Sequence, residues 1–151
     1  MSDLELGAKF QLLNKDEINT RIALVTHVLL PTGASQISND KWGLINKLAL
    51  SHQLNSFMGL GYNLGYSYLG SGNGNFLYSA SLGFSIAEGW GTYLELYGVG
   101  VDFESWNLNF DAGLTYAPKN NLQFDASLGR GMDTNWYYFA LGISWNINAY
   151  K

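Results

Sequence analysis

Two histidines, His27 and His52, are the side chains of this sequence with the widest catalytic and metal-binding chemistry. Neither lies in an H-E-x-x-H motif or a comparable ligand spacing, so no metal site is predicted. No G-x-S-x-G elbow occurs, although Ser–His pairs do serve some barrel lipases and deacylases. The chain has no cysteine, which excludes a thiol nucleophile, a disulfide framework and a cysteine-based zinc site. We therefore predict that His27 is a hydrogen-bonded interior residue and that the chain is not an enzyme.

The segment GSGNGN at 70–75 superficially resembles a phosphate-binding loop. It lacks the lysine and the strand-to-helix context that such loops need to hold a nucleotide phosphate. We interpret it as a flexible external loop, and no cofactor is predicted.

Seven charged residues form the remaining candidate site, because each lies on the polar side of an alternating segment. Together with His27 they are Glu5, Lys9, Arg21, Lys47, Glu95, Asp111 and Asp125. Unpaired charges in a narrow interior are costly, so the mixed signs predict salt bridges and hydrogen-bond networks. Two interpretations stay open: a structural interior filled by side chains, and a polar path for a solute.

The composition limits which kind of protein can hold such an interior. The chain has 151 residues, a formal charge of −4 and 13% charged residues, about half the ~25% of ordinary soluble domains. Apolar residues reach 47% and aromatic residues 15%, which excludes a disordered chain, and so few basic residues argue against nucleic-acid binding. No apolar run reaches the ~18 residues of a membrane helix. The length fits one domain, residues 1–151.

Period-2 alternation of large and small side chains is the dominant pattern. In residues 57–69 the large positions are Met58, Leu60, Tyr62, Leu64, Tyr66 and Tyr68, and the positions between them are glycine, asparagine and serine. The same contrast recurs at 4–12, 75–87, 107–116, 121–129 and 137–147, and less cleanly at 19–30, 42–54 and 91–101. These segments predict about nine strands joined as successive hairpins.

Two architectures fit this alternation. A soluble barrel or sandwich would bury the large face and leave a surface of Gly, Ser and Asn that is poor in charge. A membrane barrel would turn the large face to lipid and fill the lumen with the small polar face. We favour the second: an all-β, antiparallel, up-and-down transmembrane barrel of eight or nine strands, with ten as a further alternative. A barrel of this size holds side chains or one small ligand, whereas porins need about 16 strands.

Loop lengths and tryptophans support the membrane barrel. Short connections near 15–17, 55–56, 88–91 and 118–121 alternate with longer ones at 31–41, 70–75, 102–105 and 131–135, as between the periplasmic and external sides of outer-membrane barrels. The five tryptophans lie at segment ends, where an interface girdle would place them: Trp42, Trp90, Trp106, Trp136 and Trp145.

Strand parity raises the question of how the barrel closes. With the longer loops outside, the last strand ends on the periplasmic side, and counting back nine strands places the start of the first strand outside. Single-chain bacterial barrels normally have an even number of strands, with both chain ends on the periplasmic side. The first strand could leave the wall, nine strands could close with one parallel seam, or two chains could join edges. We favour closure within one chain, with eight strands slightly ahead of nine. The start, MSDLELGAKF, has no signal-peptide pattern, so export implies a signal already removed.

Several motifs carry a family resemblance. They are LGAKFQL, LPTG, LSHQLNSFMGLGYNLGY, YLELYG, FDAGLTYAPKNNLQFDASLGRG and FALGISW. In this order they resemble the outer-membrane transporter family associated with meta-pathway phenol degradation, in particular its Bacteroidetes-type members. Those members begin with further N-terminal strands, so the resemblance implies that this chain is their C-terminal portion.

The resemblance implies an outer-membrane location in a Gram-negative bacterium and passive transport or binding of small molecules, hydrophobic ones included. The alternative is a non-conducting structural or engineered membrane barrel with a side-chain-filled lumen. The end, Ala140–Ile147, resembles the C-terminal signal read by the outer-membrane assembly machinery, although Ala140 departs at its polar position. Expected partners are thus lipid or detergent and that machinery, with a homo-oligomer left open.

Overall fold

The computed structural model describes residues 3–15, 18–34, 36, 38 and 40–147. Its strands form one antiparallel sheet in which each strand pairs with the next along the chain. They are β1 (Leu4–Lys15), β2 (Thr20–Leu30), β3 (Gly43–Gln53), β4 (Met58–Tyr68), β5 (Asn75–Ala87), β6 (Trp90–Val101), β7 (Ser105–Lys119), β8 (Leu122–Gly131) and β9 (Tyr137–Trp145). None of the described segments forms an apolar helix of membrane-spanning length. The predicted all-β, up-and-down architecture is confirmed.

The alternating segments coincide with the strands because period-2 alternation is a local property of extended backbone. The segment at 75–87 matches β5 to the residue, and the largest differences are at the ends of β1 and β7. The connections after β2, β4, β6 and β8 form what we call the loop rim, and the others form the turn rim. The connection after β6 is shorter than predicted, with Asp102 and Phe103 at positive φ in a tight turn.

The apolar face of the sheet is exposed and the polar face is the more buried one, the reverse of the arrangement in a soluble protein. Among the described residues, Ala23 is the one buried apolar side chain, whereas Leu114 is 49% exposed and Phe139 is 69% exposed. Ser67 and Asp111, from the opposite phase, are buried. We call the polar phase the lumen face and the large apolar phase the outer face. This arrangement is the one expected where an apolar medium, rather than water, surrounds the sheet.

The sheet curves around its lumen face. A single cavity of about 620 Å³ is lined by side chains from β3, such as Lys47, and from β9, such as Tyr138. Strands this far apart in the sheet order border one cavity only if the wall wraps around it. We call this space the central cavity.

The first strand belongs to the wall. It pairs with β2 from Leu4↔Leu30 to Lys15↔Thr20, so the preference for eight strands is wrong. Its alternation matches that of β2, and pairing with β2 satisfies one side of its backbone while keeping its apolar phase outside. In the described residues β1 and β9 are the sheet edges, without a ladder between them.

We expect β1 and β9 to pair in a bilayer, because an unpaired backbone amide in hydrocarbon costs several kcal/mol. Consecutive β1 amides, such as those of Gly7, Ala8 and Lys9, should then exchange hydrogen uniformly slowly in the lipid-embedded protein. The reference is β5, which is paired on both sides. A free edge would give fast exchange at every second residue, since only alternate N–H groups face the neighbouring strand, and that alternation would contradict closure.

Candidate lumen site

Glycines of the lumen face make room for larger side chains on neighbouring strands. The cross-strand pairs are His27 with Gly7, Lys47 with Gly65, Tyr93 with Gly113, Asp125 with Gly142, and Tyr138 with Gly129. A Cβ atom added to Gly113 would lie 2.5 Å from Cε1 of Tyr93. The small residues of the alternation therefore let the larger lumen side chains lie along the wall.

Asp111 on β7 is the one charged side chain that is buried among the described residues, with 6% of its surface exposed. The Tyr138 hydroxyl donates a hydrogen bond of 2.6 Å to its Oδ2 atom. Its Oδ1 atom has no hydrogen-bond partner within the described part of the chain. Buried polar atoms are nearly always satisfied, so this oxygen is an unused acceptor.

A second carboxylate lies next to Asp111. Glu95 is its direct cross-strand partner on β6, and like charges in that position destabilise a sheet. Tyr97, the next lumen position along β6, lies beside Tyr138. We call Glu95, Tyr97, Asp111 and Tyr138 the carboxylate–tyrosine cluster.

The carboxylate–tyrosine cluster lines the central cavity. Lys47 on β3 borders the same space, and so do Asn63 and Ser79, which are joined by a hydrogen bond of 2.9 Å from Nδ2 to Oγ. The volume of about 620 Å³ is within the ~300–1,000 Å³ of typical small-molecule sites. The cavity can thus offer a ligand both acceptors and aromatic surface.

Acidic and basic lumen residues lie on different parts of the wall. The bases come from β1 to β3, and the acids other than Glu5 on β1 come from β6 to β8: Lys9, Arg21 and Lys47, then Glu95, Asp111 and Asp125. Within the described ranges, the contact between Glu5 and His27 is the only acid–base pair at salt-bridge distance. The predicted salt bridges are therefore limited to this pair in the described residues, while hydrogen bonding of the lumen charges is present, as between Tyr138 and Asp111. The register is the cause, since it places Lys9 and Lys47 on either side of Val25.

The predicted lumen residues divide among three spaces. The central cavity is lined by Lys47, Glu95 and Asp111. A space of about 400 Å³ beside β1 and β2 is lined by Glu5, Lys9 and His27. A third space, of about 350 Å³ near the turn rim, is lined by Arg21. Asp125 lies against Gly142, outside all three linings.

Sequence reasoning missed three lumen tyrosines, Tyr93, Tyr97 and Tyr138, as candidate site residues. A signal was present, because Tyr93 and Tyr97 share the parity of Glu95. On β6, however, the lumen face and the outer face both carry large side chains, with Leu94 and Leu96 on the outer face. Side-chain size therefore does not distinguish the two faces of this strand. Tyrosine suits either face, since its ring is apolar and its hydroxyl is polar.

The five tryptophans lie at strand ends and are exposed. Trp42, Trp106 and Trp136 are at the loop rim, and Trp90 and Trp145 are at the turn rim, where Trp145 borders a cleft of about 820 Å³. Trp136 stacks on the lumen residue Tyr138 with ring centres 5.8 Å apart, so its indole contacts a lumen side chain. For the others, a role in an interface girdle stays a prediction.

The two histidines lie on opposite faces. His27 contacts the Glu5 carboxylate on the lumen face. His52 lies on the outer face near the turn rim, where Nδ1 is 2.9 Å from the Thr20 hydroxyl and Nε2 is 3.0 Å from the Tyr62 hydroxyl. The two rings therefore do not form one site.

A comparison with known families agrees with the resemblance carried by the sequence motifs. The model of the family described as "Putative MetA-pathway of phenol degradation" matches residues 1–147. No curated protein matches the chain.

Proposed function

Because the chain belongs to this family, whose description is the MetA pathway of phenol degradation, its function can be proposed in the same terms. We propose that it is an outer-membrane β-barrel protein that binds small molecules and passes them through its lumen. Hydrophobic molecules are included, and the family description makes phenol the natural first probe. The proposal assigns the chain no catalytic reaction, no nucleic-acid partner and no resident cofactor.

The outward apolar face supports the membrane location in a Gram-negative bacterium. Leu114 and Phe139 are exposed, while Ser67 and Asp111 of the polar phase are buried, which suits a lipid partner. The C-terminal strand β9 has one unpaired edge in the described sheet. A free edge can pair with another strand, so it supports recognition by the outer-membrane assembly machinery.

The central cavity is the observation that carries the binding role. Its lining includes Lys47 on β3 and Tyr138 on β9, and its volume is about 620 Å³. Its lining combines the tyrosines of the carboxylate–tyrosine cluster with a few hydrogen-bonding groups, the usual construction of a small-molecule site.

A non-conducting structural barrel is the second candidate. The observation that favours it is the crowding of the lumen face, where Tyr93, Tyr138 and His27 lie over glycines of neighbouring strands. In that case the lumen residues would fill the interior rather than admit a solute.

Binding of phenol to the purified protein in lipid-containing micelles separates the two candidates. Small neutral aromatic molecules cross lipid unaided, so calorimetric binding is a sharper readout than flux. We expect saturable binding of about one phenol per chain, and absence of saturable binding would favour the structural barrel.

Single-channel recording tests the size of the lumen. We expect no porin-sized conductance steps from the purified protein in planar bilayers. About nine strands enclose far less space than the ~16 of a porin, and the lumen side chains occupy part of it. Stable porin-sized steps would contradict the narrow lumen.

A further inference from the structure

We propose that the carboxylate–tyrosine cluster is a binding site for a small organic cation, a molecule with an ammonium group on an apolar or aromatic body. The inference rests on the proposed function, because it requires that the lumen admits small molecules. It adds the charge of the preferred ligand and the residues that select it.

The unsatisfied oxygen of Asp111 is the first observation. The side chain is 94% buried, Oδ2 is held by Tyr138 and Oδ1 has no partner among the described residues. Because Asp111 lines the central cavity, a ligand there is the source from which this oxygen can gain a donor. An ammonium group is suited to that role, since it carries three donors and a compensating charge.

The adjacent carboxylate is the second observation. Glu95 faces Asp111 directly across the β6–β7 ladder, and no basic side chain lies within salt-bridge distance of either residue in the described part of the chain. A positive charge between the two carboxylates replaces their repulsion by two attractions. An uncharged ligand of the same shape leaves the repulsion in place.

The aromatic residues indicate an organic cation rather than a metal ion. The described residues contain no group of three or more His, Asp or Glu side chains placed to hold a metal. Tyr97 and Tyr138 line the same cavity as the carboxylates, and tyrosine rings attract ammonium groups and cover apolar bodies. The central cavity has room for a ring of the size of benzene.

Lys47 sets a limit on the strength of this site. It borders the central cavity from β3, so its charge opposes a bound cation across the lumen. Removing this charge should therefore strengthen cation binding, while the shape of the cluster on β6, β7 and β9 stays the same.

The test compares three ligands that share one ring: benzylammonium, benzyl alcohol and benzoate. Calorimetry with the full chain in lipid-containing micelles should show benzylammonium binding at least about tenfold more tightly than benzyl alcohol, as expected for a charge-assisted hydrogen bond. Benzoate should bind most weakly. Lys47→Gln should raise benzylammonium affinity about two- to fivefold, because it removes a like charge from the cavity.

Asp111→Asn is the decisive variant, because asparagine keeps the size of the side chain and an acceptor for Tyr138. It should abolish most of the preference for benzylammonium and leave benzyl alcohol affinity within about twofold. Asp125→Asn is the matched control, a lumen carboxylate outside the cavity lining, and should keep the preference. If Asp111→Asn does not fold, Glu95→Gln tests the same site.

The outcomes separate this inference from the proposed function. Equal binding of benzyl alcohol and benzylammonium, or a preference that survives both Asp111→Asn and Glu95→Gln, overturns the cation site alone. Absence of binding by all three ligands, and by phenol, overturns the proposed function as well.

Discussion

Replacing Leu114 by arginine should prevent most of the protein from folding into bilayers, whereas Thr115→Arg should leave the folding yield close to that of the unmodified chain. Leu114 lies near the middle of β7 on the outer face and is 49% exposed. An arginine at the lipid midplane of a barrel costs about 2–4 kcal/mol. Thr115 is the next residue but points to the lumen face, where its cross-strand partner on β8 is Asp125.

Folding yield into lipid vesicles measures this difference directly. Folded barrel resists added protease, so the protected fraction can be compared for the two variants under identical refolding conditions. The pair is closely matched, because it adds the same side chain at neighbouring positions of one strand. Similar yields for both variants would reject the assignment of the outer face, and with it the membrane location.

Replacing Gly113 by leucine should destabilise the folded protein by about 1–3 kcal/mol, as overpacking of a filled site does. Even the first carbon of the new side chain would lie 2.5 Å from the Tyr93 ring. The backbone offers no relief, because Gly113 is paired with Tyr93 on β6 and with Ser127 on β8. The expected response is a shift of the Tyr93 ring into the lumen or a distortion of the ladder.

Removal of the tyrosine should reverse the effect. In the double variant Gly113→Leu with Tyr93→Ala, the leucine occupies the space of the ring, and most of the lost unfolding free energy should return. Ala112→Leu is the control, because Ala112 is the adjacent outer-face residue and lipid tolerates the larger side chain. Urea unfolding in vesicles gives all these values, and an undiminished loss in the double variant would show that Tyr93 is not the obstacle.

The two predictions differ in how much of their basis is already present in the sequence. The contrast between Leu114 and Thr115 follows from parity alone, because side chains alternate between the two faces of any strand. The same rule places Glu95, Asp111 and Lys47 on one face from the sequence alone. The sizes of the side chains on the two faces and the low fraction of charged residues favour a membrane barrel over a soluble one.

The pairing of Gly113 with Tyr93 could not be predicted in this way. It depends on the register between β6 and β7, and a shift of two residues keeps every side chain on its face while changing all of its neighbours. Turn geometry sets this register, as in the tight Asp102–Phe103 turn. The bulge of β1 between Gln11 and Leu13 alters the pairing further, and nothing in the alternation indicates it.

The sequence by itself determined that this chain forms antiparallel strands with an apolar outer face and a polar lumen, because both properties depend only on the order of residues along each strand. Only the tertiary structure decided which lumen residues meet. It placed the Tyr138 hydroxyl on Asp111, set Glu95 opposite that carboxylate, and separated Lys9, Arg21 and Lys47 from Glu95, Asp111 and Asp125. The physical reason is that electrostatic and hydrogen-bonding partners in a sheet lie on other strands, so register and curvature, rather than spacing within a segment, fix the chemistry of the lumen.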